Sequence, residues 1–187
     1  ILLICKETSS YPMYFLGKTL EEDGNDVAYF FVHNSEVVFN RNIINKNTYH
    51  YFKDNIDNDK IFDVKDINLE FIENYKTAVP DMKYLTEIEK LYGDVKGLNQ
   101  QIISSQMTST PYHDRWFWTS LSYSQTLYWL ELNYKKSEKV LDLYKPDVLL
   151  DLDTSEIQRT ILNEVCSVKK VPYITIEYPR YESWITP

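Results

Sequence analysis

The sequence predicts an α/β fold of the Rossmann-like, three-layer kind with a mainly parallel sheet. Three observations predict it. A strand–helix–strand pattern opens the 187-residue chain, a second one closes it, and a largely helical stretch lies between them. A β-α-β unit crosses over in one hand, so the strands it joins run parallel.

The first strand is Ile1–Cys5, an unbroken apolar run. Lys6-Glu7-Thr8-Ser9-Ser10-Tyr11 is a polar turn, and Pro12 suits an opening helical position, where its missing N–H costs nothing. Met13, Leu16 and Leu20 then form one helical face, and Gly24-Asn25 ends the helix. Val27–Val32 is the second strand. Ser9 or Ser10 is expected to cap the helix, and an anion site on the backbone amides there is the alternative. Val37–Phe39 and Ile61–Val64 are short strand candidates, while Ile67–Lys76 and Met82–Tyr92 read as helices. A long helix is expected from about Ser122 to Tyr144, with Leu127, Leu130, Tyr134 and Leu141 among its apolar positions and Lys145-Pro146 as its stop.

The closing stretch is the most informative. Val148, Leu149, Leu150 and Leu152 form an apolar run beside Pro146, the pattern of a strand covered on both faces. Asp153-Thr154-Ser155-Glu156 has capping-box form, and Ile157, Ile161, Val165 and Val168 follow at helical spacing. Pro172 and Tyr173–Ile176 make the last strand. Open α/β sheets bind ligands outside the carboxyl ends of their strands. That rule selects Glu7, Ser9, Ser10, Asp151, Asp153, Thr154, Glu177 and Arg180 as the residues to watch.

Length and charge narrow the options. A chain of this size is enough for one α/β domain. We therefore expect a single Rossmann-like domain over 1–187, with an acidic helical insertion around 54–94 and with both ends abrupt enough to suit part of a longer chain. That insertion carries eleven Asp and Glu against five Lys, the composition of a solvated acidic face. A net charge of −8 argues against a nucleic-acid partner, which calls for clustered Lys and Arg. No apolar run has the length of a membrane span. Cys5 and Cys166 sit in apolar contexts and fit buried, reduced thiols of a cytosolic protein. The four glycines form neither a dinucleotide fingerprint nor a P-loop, which disfavours a dehydrogenase or nucleoside triphosphatase. Sixteen Tyr and four Trp suit either a carbohydrate site or an aromatic core.

The chemical candidates are few. Asp151-Leu152-Asp153 has the DxD form that holds a divalent cation in metal-dependent sugar transferases, but no His or third carboxylate stands close by, so no metal is expected. Tyr112-His113-Asp114-Arg115-Trp116 is the densest polar-aromatic cluster. His113 suits a general base because its pKa lies near neutrality, with Glu7 and Glu177 in reserve. Arg115 suits an anion anchor. Asp114 and Arg115 can equally cap a helix and pair with each other, and Glu177 and Arg180 can form a surface salt bridge.

From Tyr112 to Arg180 the chain resembles the N-terminal half of bacterial surface, or capsular, polysaccharide biosynthesis proteins, which are glycosyltransferase-like enzymes of the two-domain GT-B type. The resemblance is carried by Asp114-Arg115, the aromatic helix through Tyr128 and Trp129, Lys145-Pro146-Asp147, the polar helix start Asp153-Thr154-Ser155, and Pro172 through Arg180. It implies one half of a GT-B architecture that binds a glycan or lipid-linked saccharide acceptor, acting in the cytoplasm or at the inner face of the membrane. It also implies that a nucleotide-sugar donor binds a C-terminal domain outside this chain, so that this chain holds no cofactor and is inactive alone. The 112–116 loop is placed at the carboxyl edge by this resemblance only. Ser9, Ser10, Arg115, Asp153 and Arg180 are the expected substrate-binding residues, and His113, Glu7 and Glu177 the expected catalytic ones. A non-catalytic α/β binding or assembly module of the same pathway is the alternative, and a metal-dependent GT-A transferase built on Asp151 and Asp153 is a third.

Overall fold

The computed structural model describes residues 1–6, 10–32, 43–92, 97–104, 121–152 and 157–176. Their contacts divide into two compact units.

The first unit is built on a five-stranded sheet. Its strands are β1 (Leu2–Cys5), β2 (Ala28–Phe31), β3 (Ile61–Asp63), β4 (Leu149–Asp151) and β5 (Tyr173–Thr175). They lie in the order β3-β2-β1-β4-β5 and every pairing is parallel. β1 is central, with Leu3 opposite Tyr29 on one side and Leu150 on the other. All four residues of β1 and of β2 are buried, which is why both read as unbroken apolar runs. β5 is an edge, and Ile174 on it is half exposed.

Helices α1 (Ser10–Glu22) and α2 (Ile43–Asn55) belong to this unit. Met13 and Tyr14 of α1 and Phe52 of α2 join Leu3, Cys5, Tyr29 and Phe31 in one core cluster. Tyr29 and Phe31 both meet Phe52 edge-on, at 5.1 and 4.9 Å between ring centroids. α1 approaches β2 closely at Gly17, where a side-chain carbon would stand 2.0 Å from the Tyr29 hydroxyl. The helix ends as its sequence predicts. Gly24 takes φ +88°, its N–H bonds to the Glu21 carbonyl, and the Asn25 N–H bonds to that of Leu20. This pair of bonds is the Schellman arrangement, which the left-handed Gly makes possible.

The second unit is helical. It comprises nearly all of α3 (Lys65–Asn74), with α4 (Met82–Tyr92), α5 (Gly97–Ser104), α6 (Tyr123–Tyr144, apart from its last residue) and α7 (Ile157–Lys169). α6 is its axis. Leu127, Leu130, Tyr134 and Leu141 are buried as expected. Phe71 stacks on Tyr128 and meets Trp129 edge-on, and Tyr92 stacks on Tyr134 with the rings 11° from parallel. Asp81 caps α4, accepting from the N–H groups of Lys83 and Tyr84 through Oδ1. On α7 the buried stripe is Ile157, Ile161, Leu162, Val165 and Cys166, whereas Val168, expected on that face, is exposed. Lys145 and Lys170 adopt positive φ just after α6 and α7, each turning the chain out of its helix.

Val37–Phe39 lies outside the described residues. The 54–94 segment contains β3 as well as α3 and α4, so its acidic residues flank a strand in addition to helices.

Candidate functional site

The sheet order fixes where a ligand would be expected. The chain steps outward from β1 to β2 and β3, then returns to the other side of β1 for β4 and β5. The switch therefore falls between β1 and β4, and doubly wound sheets bind ligands at the carboxyl ends of the strands flanking such a switch. Here those ends are Cys5 and Asp151, with Phe31, Asp63 and Thr175 ending the other strands.

Asp151 is fully buried at that edge. Its Oδ1 accepts the N–H of Leu152 at 2.7 Å, and its Oδ2 accepts the hydroxyl of Tyr173 at 2.5 Å. A carboxylate held through both oxygens is secured to its own strand pair, since Tyr173 lies on the neighbouring β5. Asp63, at the end of β3, is held in a similar way, with Tyr49 donating to one oxygen and the Lys65 N–H to the other. Sequence reading passed over Asp63. The available signal was an Asp next to last in the strand candidate Ile61–Val64, the position Asp151 holds in the run from Val148 to Leu152.

Of the expected site residues, Ser10 is within the described part. It opens α1 and is fully buried. Its Oγ bonds to no partner among the described residues, so of the two expected caps Ser10 does not serve α1 through its side chain, and Ser9 lies outside the described residues. Ser10 is the first residue of the helix itself, one position past the capping position. Glu7, Ser9, His113, Arg115, Asp153, Glu177 and Arg180 lie outside the described residues. So do Tyr112, Asp114, Trp116 and Thr154. Among the described residues no group of three His, Cys, Asp or Glu side chains is placed to hold a metal ion.

Tyrosine, the most conspicuous feature of the composition, is used largely for packing and for holding carboxylates. Tyr84 and Tyr92 donate to the two oxygens of Glu138, each at 2.8 Å. Tyr134 donates to Glu164 at 2.6 Å, and Gln101 donates to that carboxylate's other oxygen, tying α5, α6 and α7 together. Burial, and then the adjoining carboxylate, push the phenols of Tyr84, Tyr92 and Tyr134 well above their ordinary pKa. Burial likewise pushes the Cys166 thiol up to about 12. Cys5 is buried as well. Neither cysteine has the exposed, electropositive setting of a nucleophile.

The fold and this edge define an α/β protein of the Rossmann-like class with an all-parallel five-stranded sheet. No family model, curated protein or solved structure matches the chain. Among the described residues no helix is long and apolar enough to cross a membrane.

Proposed function

We propose that this chain is the acceptor-binding N-terminal half of a glycosyltransferase of the GT-B kind, working in the synthesis of a bacterial surface polysaccharide. The observation that carries the proposal is the parallel sheet in the order β3-β2-β1-β4-β5, whose switch between β1 and β4 puts a ligand-binding edge beside Asp151. The resemblance of residues 112–180 to surface-polysaccharide enzymes supports a glycan or lipid-linked saccharide as what that edge would bind. A nucleotide sugar would bind a second domain, and transfer would take place where the two halves meet. On this proposal His113 is the base and Arg115 the anchor for an anionic acceptor. The lack of both glycine-rich phosphate motifs supports an acceptor half over a nucleotide-binding one.

The test is transfer by the complete protein from nucleotide sugars to a lipid-linked saccharide. His113→Ala should lower turnover by about a hundredfold or more, the worth of a general base. Arg115→Ala should mainly weaken binding of the acceptor. Undiminished turnover in His113→Ala removes the assignment of the base. A complete protein that transfers no sugar favours a non-catalytic binding module of the same fold.

A further inference from the structure

The outer surface of α1 and α2 holds a feature unrelated to the carboxyl edge. Between the C-terminal ends of these helices lies a cavity of about 350 Å³. Its lining is polar, from Lys18, Glu21, Asn25, Asn55, Asp57 and Lys60, apart from Ile56. Asn25 and Lys60 stand just before β2 and β3, so the cavity opens at the amino edge of the sheet. An exposed aromatic patch adjoins it toward the start of the helices. Tyr11, Phe15 and Tyr51 are 36%, 63% and 38% exposed. The Tyr11 and Tyr51 rings are 5.8 Å apart and tilted by 56°, so they form a corner and not a flat stack. Tyr14 packs edge-on against both Phe15 and Tyr51 and joins the rings into one cluster. Lys18 links the two features, since it lines the cavity and its Nζ lies 5.8 Å from the centre of the Tyr14 ring.

We infer that this groove is a binding site for a neutral saccharide, separate from the edge assigned to the acceptor above. Three properties select that chemistry. First, both lysines are already engaged. Lys18 is paired with Glu21 at 2.8 Å, and Lys60 with Asp26 at 2.9 Å. A phosphate therefore finds no uncompensated lysine there. Second, the polar groups are mixed donors and acceptors. The side-chain amides of Asn25 and Asn55 donate to the carbonyls of Leu20 and Tyr51, which leaves their Oδ1 atoms to accept from hydroxyls. Third, the aromatic patch exposes on the order of 300 Å². A stable protein interface needs roughly 800 Å² per partner, whereas a pyranose needs an aromatic face for its C–H side and a polar wall for its hydroxyls. The groove supplies both within one compact unit.

The test is saturation-transfer NMR and amide shift mapping on the 187-residue protein. The probes are methyl β-glucopyranoside, methyl β-galactopyranoside and N-acetylglucosamine. At least one should receive saturation on its ring protons, with shift changes confined to residues 11–25 and 51–60. Phe15→Ala and Asn55→Ala should each weaken binding about fivefold, the worth of one stacked ring or one hydrogen bond. Both positions are exposed, so the variants should keep the wild-type melting temperature. Absence of transfer to all three sugars overturns the inference, as does binding unchanged in both variants. So does inorganic phosphate moving the same amides, or a dimer that Phe15→Ala dissolves, which would make a second copy the occupant. None of these outcomes touches the transfer assay at the carboxyl edge, so the two proposals fail independently.

Discussion

Gly17→Ala is the substitution whose cost the structure sets most sharply. An added Cβ would stand 2.0 Å from the Tyr29 hydroxyl oxygen, 2.7 Å from Cζ and 2.9 Å from Cε1. Tyr29 cannot swing away, because it is fully buried in β2 with its ring against Phe52. Alanine in a helix interior gains about 1 kcal/mol over glycine, while overpacking of a closed core costs about 1–3 kcal/mol or more. With contacts this short the clash wins, and we expect a net loss of about 2 kcal/mol. Tyr29→Phe removes the atom nearest the new methyl. Its own effect should be neutral or a gain of up to about 1 kcal/mol, since the hydroxyl is buried with no hydrogen-bond partner among the described residues. In that background Gly17→Ala should cost about 1 kcal/mol less than in the wild type. Urea unfolding of the four proteins in the cycle measures the coupling. A stabilising Gly17→Ala, or strictly additive effects, would show that α1 does not lie on Tyr29 and would refute the packing of the first unit.

Other expectations follow from the same structure. Asp151→Asn should destabilise by about 2 kcal/mol through the loss of a charge-assisted bond from Tyr173, and should leave Mn²⁺ binding unchanged, as isothermal calorimetry would show. Neither Cys5 nor Cys166 should react with a thiol reagent at pH 8 until denaturant is added, because both are buried and the Cys166 pKa is pushed up to about 12. Absorbance at high pH should show Tyr29, Tyr84, Tyr92, Tyr134 and Tyr144 ionising only on unfolding. Their folded pKa values are raised. The stability they contribute is therefore complete below the ordinary phenol pKa near 10 and is lost as pH rises above it, which places alkaline unfolding on that side.

Much of the fold was legible because its strands are buried on both faces and so stand out as apolar runs. β1, β2, β3, β4 and β5 each fall within a residue or two of the expected span, and α4 and α6 were legible from helical spacing with clear stops. Two helices were not read. α2 is rich in Asn and Lys, and its buried stripe runs through Thr48, Phe52 and Ile56 at intervals of four, a face whose first member is polar. α5 is only eight residues long, opens on a glycine and buries Gln101 beside Ile102. The tyrosines misdirect for a related reason. A phenol that donates to a partly buried carboxylate, as Tyr134 does to Glu164, has the same sequence signature as one that stacks on a ligand. Of the expected site, Ser10 and the neighbouring ends of β1, β4 and β5 follow from topology. The other candidates lie outside the described residues, and the sequence around them has no periodicity to read. The α1–α2 groove had no sequence signal either, since its residues come from two helices and a turn that only the fold brings together.

The proposal that this chain is an acceptor half is tested most directly by asking which substrate it binds. Amide shift mapping would compare a water-soluble, short-chain polyprenyl-diphosphate saccharide with a nucleotide sugar on the 187-residue protein. An acceptor half should respond to the saccharide at Ser10, Leu152 and Ile176, beside the carboxyl ends of β1, β4 and β5, and should show no response to the nucleotide sugar. A nucleotide sugar that binds at that edge, or an edge that responds to neither, would contradict the assignment.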